Sequence, residues 1–165
     1  MIEKIYSPLV NVLHRLENIA LISALISMLG IAVLQIFLRN FLDSGLLWAE
    51  SFLRILVLWV AVLGAMVATR EKNHIAIDAM SRYLSRPVQR GTRLLTNLFS
   101  AVICGTVAWH SFTYVQLEYE DQAIAFLNVP TWLCQSILPF GFAVIALRFA
   151  ISVIQSLVES VRGKE

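Results

Sequence analysis

The sequence predicts an all-α integral membrane protein with four transmembrane helices, amphipathic interfacial helices on the cytoplasmic side, and both termini cytoplasmic. Three observations carry this. The chain has 165 residues, of which 58% are hydrophobic and 15% charged. Its apolar residues fall into four runs, Ile19 to Leu38, Ser51 to Thr69, Leu94 to Val115 and Thr131 to Ile154. Each approaches or exceeds the roughly 20 residues that a helix needs to cross a hydrocarbon core. Finally, Lys and Arg are distributed unevenly over the connections. The spans with their flanks, 19–38, 48–69, 94–115 and 130–155, fill nearly the whole chain, so 1–165 reads as a single membrane domain.

The first element is the stretch "SPLVNVLHRLEN", 7–18. Ser7 can cap a helix with Pro8 in its first turn, and Leu9, Val12, Leu13 and Leu16 share one face. With Lys4, His14 and Arg15 beside that face, it reads as an amphipathic helix on the cytoplasmic membrane surface. The alternative is a plain extension of span one. Span one is too long for the apolar region of a signal peptide, and "RNFLDSG" after it holds no small-residue cleavage site, so it is expected to stay in the protein.

Orientation follows from the positive charges. Lys4 and Arg15 precede span one. Arg70, Lys72, Arg82, Arg86, Arg90 and Arg93 fill the second connection, and Arg162 and Lys164 close the chain. The first and third connections hold only Arg39, and the third, "QLEYEDQAIAFLN", is acidic at Glu118, Glu120 and Asp121. These basic residues are topological signals beside anionic headgroups, which removes nucleic acid as a partner and adds membrane phospholipids. A second surface helix is expected at 75–86, with Ile77, Met80 and Leu84 on one side and Arg82, Arg86 and Arg90 nearby.

Charges in or beside a span are expensive and therefore candidates for function. Glu50 and Arg54 open span two at i, i+4 spacing, with the glutamate on the favourable N-terminal side. Trp48 suits the outer interfacial belt and puts Arg54 about 9 Å deeper at helical rise. The pair either neutralises itself and snorkels toward outer headgroups, or shares a partner on another helix or subunit. Arg148, late in span four, is expected to snorkel to the cytoplasmic interface. Pro139 and Gly141 make a kink in that span plausible.

No catalytic, metal or cofactor pattern appears. His110 has no second histidine at similar depth for a haem, since His14 and His74 fall on the other side. Cys104 and Cys134 differ in depth by roughly 10 Å, beyond disulfide reach, and there is no CxxC. No nucleotide, zinc or nucleophile motif is present, so an enzyme is not expected. Polar residues within the spans, such as Ser23, Gln35, Asn97, Thr106 and Gln135, read as helix-packing contacts. The repeated broken helices of a self-sufficient transporter are missing. A non-catalytic partner subunit fits better.

The run "WAESFLRILVLWVAVLGAMVATREKNHIAIDAM", residues 48–80, resembles the small membrane subunit of tripartite ATP-independent periplasmic (TRAP) transporters, the DctQ-like family. Matching positions are Trp48, Glu50, Arg54, Trp59, Gly64, Arg70, His74, Ile75 and Asp78. That family often carries two acidic residues after the tryptophan, where this chain has Ala49 and Glu50. Four spans and the chain length also agree. The resemblance implies a bacterial inner (cytoplasmic) membrane protein without cofactor. Its implied partners are a large membrane subunit (M type), which carries the substrate and sodium sites and moves elevator-fashion, and a periplasmic solute-binding protein (P type). The latter would deliver an organic acid such as sialic acid or a dicarboxylate. Trp48, Glu50, Arg54 and Trp59 would form a subunit or lipid interface, and the small subunit would brace the scaffold. Arg70, Lys72, His74 and Asp78 would anchor the cytoplasmic end of span two. Glu118, Glu120 and Asp121 would be a docking surface for the periplasmic protein. The alternatives are a four-span proton-coupled multidrug antiporter and a structural membrane protein with an unrelated partner.

Overall fold

The computed structural model describes the backbone of residues 3–42, 45–81 and 86–162, and the side chains of 12–42, 45–46, 48–70, 88 and 91–158. Its elements are α1 (Glu3–Phe41), α2 (Leu47–Ser81), α3 (Arg86–Asp121), β1 (Ile124–Phe126), β2 (Val129–Pro130), α4 (Thr131–Gln135) and α5 (Ile137–Arg162). Four segments are long and apolar enough to cross a membrane: Val12–Phe41, Trp48–Arg70, Gly91–Asp121 and Thr131–Val158. This is the all-α, four-span membrane class.

The helices outrun the apolar segments that define them. Helix α1 has 39 residues, a length of about 58 Å at 1.5 Å per residue, against a hydrocarbon core of about 30 Å. The stretches expected as a surface helix, 7–18, and as span one, 19–38, lie on this one unbroken helix. It begins at Glu3, so Ser7 is inside the helix and not its cap. Helix α2 likewise runs beyond its apolar part to Ser81. The expected surface helix 75–86 thus falls partly on α2, partly on residues 82–85, which lie outside the described residues, and ends on Arg86, the first residue of α3.

Contacts divide the chain into two units. The first comprises Met1–Val67 and Tyr114–Ile137. Its buried apolar residues include Ala49, Val62, Leu63 and Met66 of α2, together with Cys134 and Ile137. The second comprises Ala68–Thr113 and Leu138–Glu165, where Ile145 is buried. The most apolar windows of α1 and α3 bury nothing within the chain, so those two helices keep their Leu, Ile and Phe side chains for an outside apolar medium.

In the first unit, the third connection is more ordered than an acidic loop. Helix α3 extends through Glu118 and Glu120 to Asp121, and Gln122 ends it with a left-handed φ of 49°. Strands β1 and β2 then pair antiparallel, Ile124 opposite Pro130 and Phe126 opposite Val129. Leu127 and Asn128 join them with φ of 42° and 67°. Two consecutive positive φ angles are what a two-residue hairpin turn requires to match strand twist. Thr131 N–H donates to the Ala123 carbonyl at 2.8 Å, which caps α4 from the hairpin where Pro130 supplies no side-chain cap.

The fourth span breaks at Ser136, between α4 and α5. Pro139 causes it: the ring has no N–H for the carbonyl of Gln135, and it crowds the turn four residues back. The neighbouring carbonyl of Cys134 accepts a hydrogen bond from the Trp59 indole Nε1–H at 2.8 Å, and Ser136 Oγ donates to the Leu133 carbonyl at 2.7 Å. The carbonyls of Leu133 and Cys134, just before the break, are thus held by Ser136 and by α2.

Replacing Trp59 by phenylalanine keeps an aromatic body and removes the donor. Trp59→Phe should destabilise the chain by about 1–3 kcal/mol, the cost of a buried unpaired carbonyl, read as a lowered unfolding midpoint in detergent titration. A midpoint equal to the parent would show that the bond contributes nothing.

Candidate functional site

Helix α2 has two faces with opposite chemistry. Trp59, Val62, Leu63 and Met66 fall on one side at helical spacing; Val62, Leu63 and Met66 are at most 6% exposed, and the Trp59 indole is committed to Cys134. Glu50 and Arg54 fall on the other. Arg54 Nη2 donates to Glu50 Oε1 at 2.5 Å, and the two side chains are 76% and 69% exposed, arginine first. The i, i+4 geometry anticipated from the spacing is therefore formed, and it faces away from the chain. A charge centred in a bilayer costs roughly 2.5–3.5 kcal/mol on insertion scales. Pairing removes the net charge and shallow depth lowers the cost further.

The expected interface residues thus separate. Glu50 and Arg54 point outward. Trp48 is half-buried and meets Phe52 edge-on at 6.0 Å between ring centroids, and Phe52 meets Phe126 of the hairpin at 5.1 Å. This aromatic chain fastens the hairpin to the N-terminal end of α2. On the expected cytoplasmic anchor, Arg70 is half-buried and holds an interaction of its own. Lys72, His74 and Asp78 ride on the same helix, and their side chains lie outside the described residues.

The acidic trio sits on the last turns of α3. Glu118 Oε1 accepts the Tyr114 hydroxyl at 2.9 Å, whereas Glu120 and Asp121 are exposed. Helix C-termini favour cations, and no basic residue stands in this last turn, so these carboxylates are placed against the helix dipole. Beside them is a shallow, open pocket of about 340 Å³ lined by Val115, Gln116, Tyr119, Glu120 and Trp132. Tyr119 and Trp132 close one side of it edge-to-face at 5.5 Å.

Polar groups within the spans are mostly served by their own helix. Ser23, Thr106 and Ser152 donate to carbonyls three or four residues back at 2.9 to 3.0 Å. Gln135 differs: its Oε1 is buried with no partner among the described residues. Cys104 and Cys134 form no disulfide with one another. One residue escaped the sequence reading: Glu17, in α1, is 5% exposed. Its signal was an acidic side chain at the margin of an apolar run, masked by the adjacent basic residues that made the stretch look solvated. Among the described residues, no group of three or more His, Cys, Asp or Glu side chains could hold a metal ion.

Residues 28–159 match the family model of the DctQ component of tripartite ATP-independent periplasmic transporters. The chain belongs to the DctQ family. Membership places it among transporter components and not among enzymes. It is 30% identical over 106 residues to the C4-dicarboxylate TRAP transporter small permease protein DctQ of Rhodobacter capsulatus, covering 64% of this chain and 47% of the relative. The protein of the same name from Pseudomonas aeruginosa is 26% identical over 115 residues, 66% of this chain and 54% of the relative. The sialic acid TRAP transporter small permease protein SiaQ of Vibrio cholerae is 21% identical over 131 residues, 79% and 75% of the two chains. The chain spans about half the length of the two C4-dicarboxylate relatives. The family match includes the ion pair, Trp59 with its acceptor, and the acidic end of α3.

The hairpin turn supplies a check on this geometry. Leu127, 65% exposed, holds a left-handed φ of 42° that leucine disfavours and asparagine tolerates. Leu127→Asn should stabilise the turn by about 1 kcal/mol, seen as slower hydrogen exchange at the amides of 124–130. Faster exchange there would contradict the turn.

Proposed function

We propose that this chain is the small permease subunit of a TRAP-type secondary transporter in the bacterial inner membrane, with both termini cytoplasmic. It braces the static part of a large membrane subunit, which carries the substrate and sodium sites. A periplasmic solute-binding protein delivers an organic acid, a C4-dicarboxylate or sialic acid, to the assembly. The observation that carries this reading is the family match over 28–159. The substrate classes rest on the names of the relatives.

The bracing role is supported by what the spans contain. Glu50 is tied to Arg54, so it is not the isolated carboxylate that a proton-coupled multidrug antiporter uses. The hydroxyls of Ser23, Thr106 and Ser152 are turned back on their own helices and offer no polar track. Cytoplasmic termini are supported by the ten basic residues before span one, after span two and at the chain end.

Two outward regions then take partners. The Glu50–Arg54 side of α2 meets the large subunit or phospholipid, and the cytoplasmic end of α2, with Arg70, Lys72, His74 and Asp78, anchors among headgroups. The acidic end of α3, with Glu118, Glu120 and Asp121, docks the periplasmic protein; electrostatic complementarity there acts mainly on encounter.

Reconstituted proteoliposomes test the proposal. Uptake driven by a sodium gradient should require both membrane subunits, and full uptake by the large subunit alone would refute the role. Charge reversal at Glu118, Glu120 and Asp121 should slow uptake several-fold at low salt, through association, while complex recovery stays at the parent level; unchanged uptake would sink the docking assignment. Arg54→Ala should reduce complex recovery more than Arg148→Ala, because Arg148 belongs to α5 and not to the outward face of α2.

A further inference from the structure

The connection after the third span displays apolar side chains where a water-facing loop would not. Ile124 and Leu127 are each 65% exposed. Both lie in the hairpin that joins the apolar segment ending at Asp121 to the one beginning at Thr131. Leu127 also holds a left-handed φ of 42°, which leucine disfavours and the next residue, Asn128, tolerates. In water this would be a poor turn. Two large side chains would stay hydrated, and a two-stranded ribbon is marginal there without an apolar surface beside it.

The depth of the hairpin decides what that surface is. Phe126, the neighbour of Leu127, packs edge-on against Phe52 at 5.1 Å between ring centroids. Phe52 belongs to the second apolar segment, Trp48–Arg70, and lies about 6 Å past Trp48 at helical rise. The hairpin therefore leans back to the level of span residues and does not stand clear of the span ends. Aromatic rings mark the same level on the flanking helices. Trp48 opens the apolar segment of α2, and Tyr119, near the end of α3, meets Trp132 at the start of α4 at 5.5 Å. Trp and Tyr in such positions are the side chains of a membrane–water boundary. Ile124 and Leu127 are thus exposed at the height of that boundary, where headgroups give way to the first methylenes of the acyl chains.

We infer that the hairpin 124–130 is an interfacial anchor whose Ile124 and Leu127 side chains insert into the acyl boundary of the leaflet on the side of the α2 N-terminus. Phe126 clamps the hairpin to α2 from within, and the two exposed side chains hold it from without. Its partner is a lipid surface recognised through apolar area and not through headgroup charge, since residues 123–130 contain no Lys, Arg, Asp or Glu. A soluble partner would return this apolar surface to water each time it departed, whereas the bilayer is always beside it. The inference rests on the span assignment and not on the partner set proposed above.

Two reagents test this on the unaltered full chain in vesicles of phosphatidylethanolamine and phosphatidylglycerol, with mass spectrometry as the readout. A carbene generated from a bilayer-partitioned aryl diazirine should label Ile124 and Leu127 as it labels Leu29, an exposed residue of the first span. Hydroxyl radicals generated in the aqueous phase should lose the reaction with both side chains that a reference peptide of residues 121–131 shows in buffer. Oxidation of both residues at the level of the peptide, without carbene label, puts the hairpin in water and overturns the inference while leaving the spans intact. Absence of both modifications puts protein over the hairpin and overturns it as well. Absence of carbene label at Leu29 too would overturn the span assignment itself.

Discussion

The hydrogen bond from the Trp59 indole to the Cys134 carbonyl is the contact on which the packing of α2, the hairpin and α4 turns. A hydrocarbon interior supplies no water, so every carbonyl released from a helix ladder needs a partner from the protein. Pro139 breaks the fourth span at Ser136, and beside the Gln135 carbonyl that it releases, Trp59 of α2 holds the Cys134 carbonyl with one donor at the edge of an apolar body. That commitment fixes the rotation of α2. With Trp59 turned inward beside Val62, Leu63 and Met66, helical periodicity sends Glu50, Arg54, Ala61 and Ala65 the other way. The same rotation leaves Phe52 to meet Phe126, which pins the hairpin, which in turn caps α4 through Ala123.

Much of this architecture is legible in the sequence because the bilayer is a strict solvent. Four apolar runs give four spans, and the spacing of Glu50 and Arg54 gives the pair that forms. Hydropathy, however, reports where lipid lies and not where a helix stops. Backbone hydrogen bonds continue through polar residues, and so α1 begins at Glu3, α2 reaches Ser81 and α3 carries Glu118, Glu120 and Asp121 beyond the apolar core. The hairpin was hidden for a different reason. Its turn, Leu127–Asn128, lacks the glycine that normally marks two positive φ angles, and its stability comes from Phe52, far away in sequence.

The candidate site divides along the same line between local and distant chemistry. The Glu50–Arg54 bond spans four residues and can be read from spacing alone. The acceptor of Trp59 lies 75 residues away, and no periodicity in either segment names it. Pro139 announces a kink, yet the residue that compensates for it is a packing fact of the folded chain. Trp48, Glu50, Arg54 and Trp59 form one cluster in the sequence. In the structure their side chains serve two tasks, an internal clasp and an outward display.

That division bears on the bracing role proposed above. A subunit that braces a partner needs a rigid helix with a specific outward face. The indole bond supplies rigidity on one side of α2. On the other side, small residues give close approach without specificity, because alanines accept many partners. The ion pair adds what they lack. Neutral overall, it tolerates shallow burial, but each of its groups needs a matched partner once headgroups and water are displaced, so a helix in the wrong register leaves charges unmet.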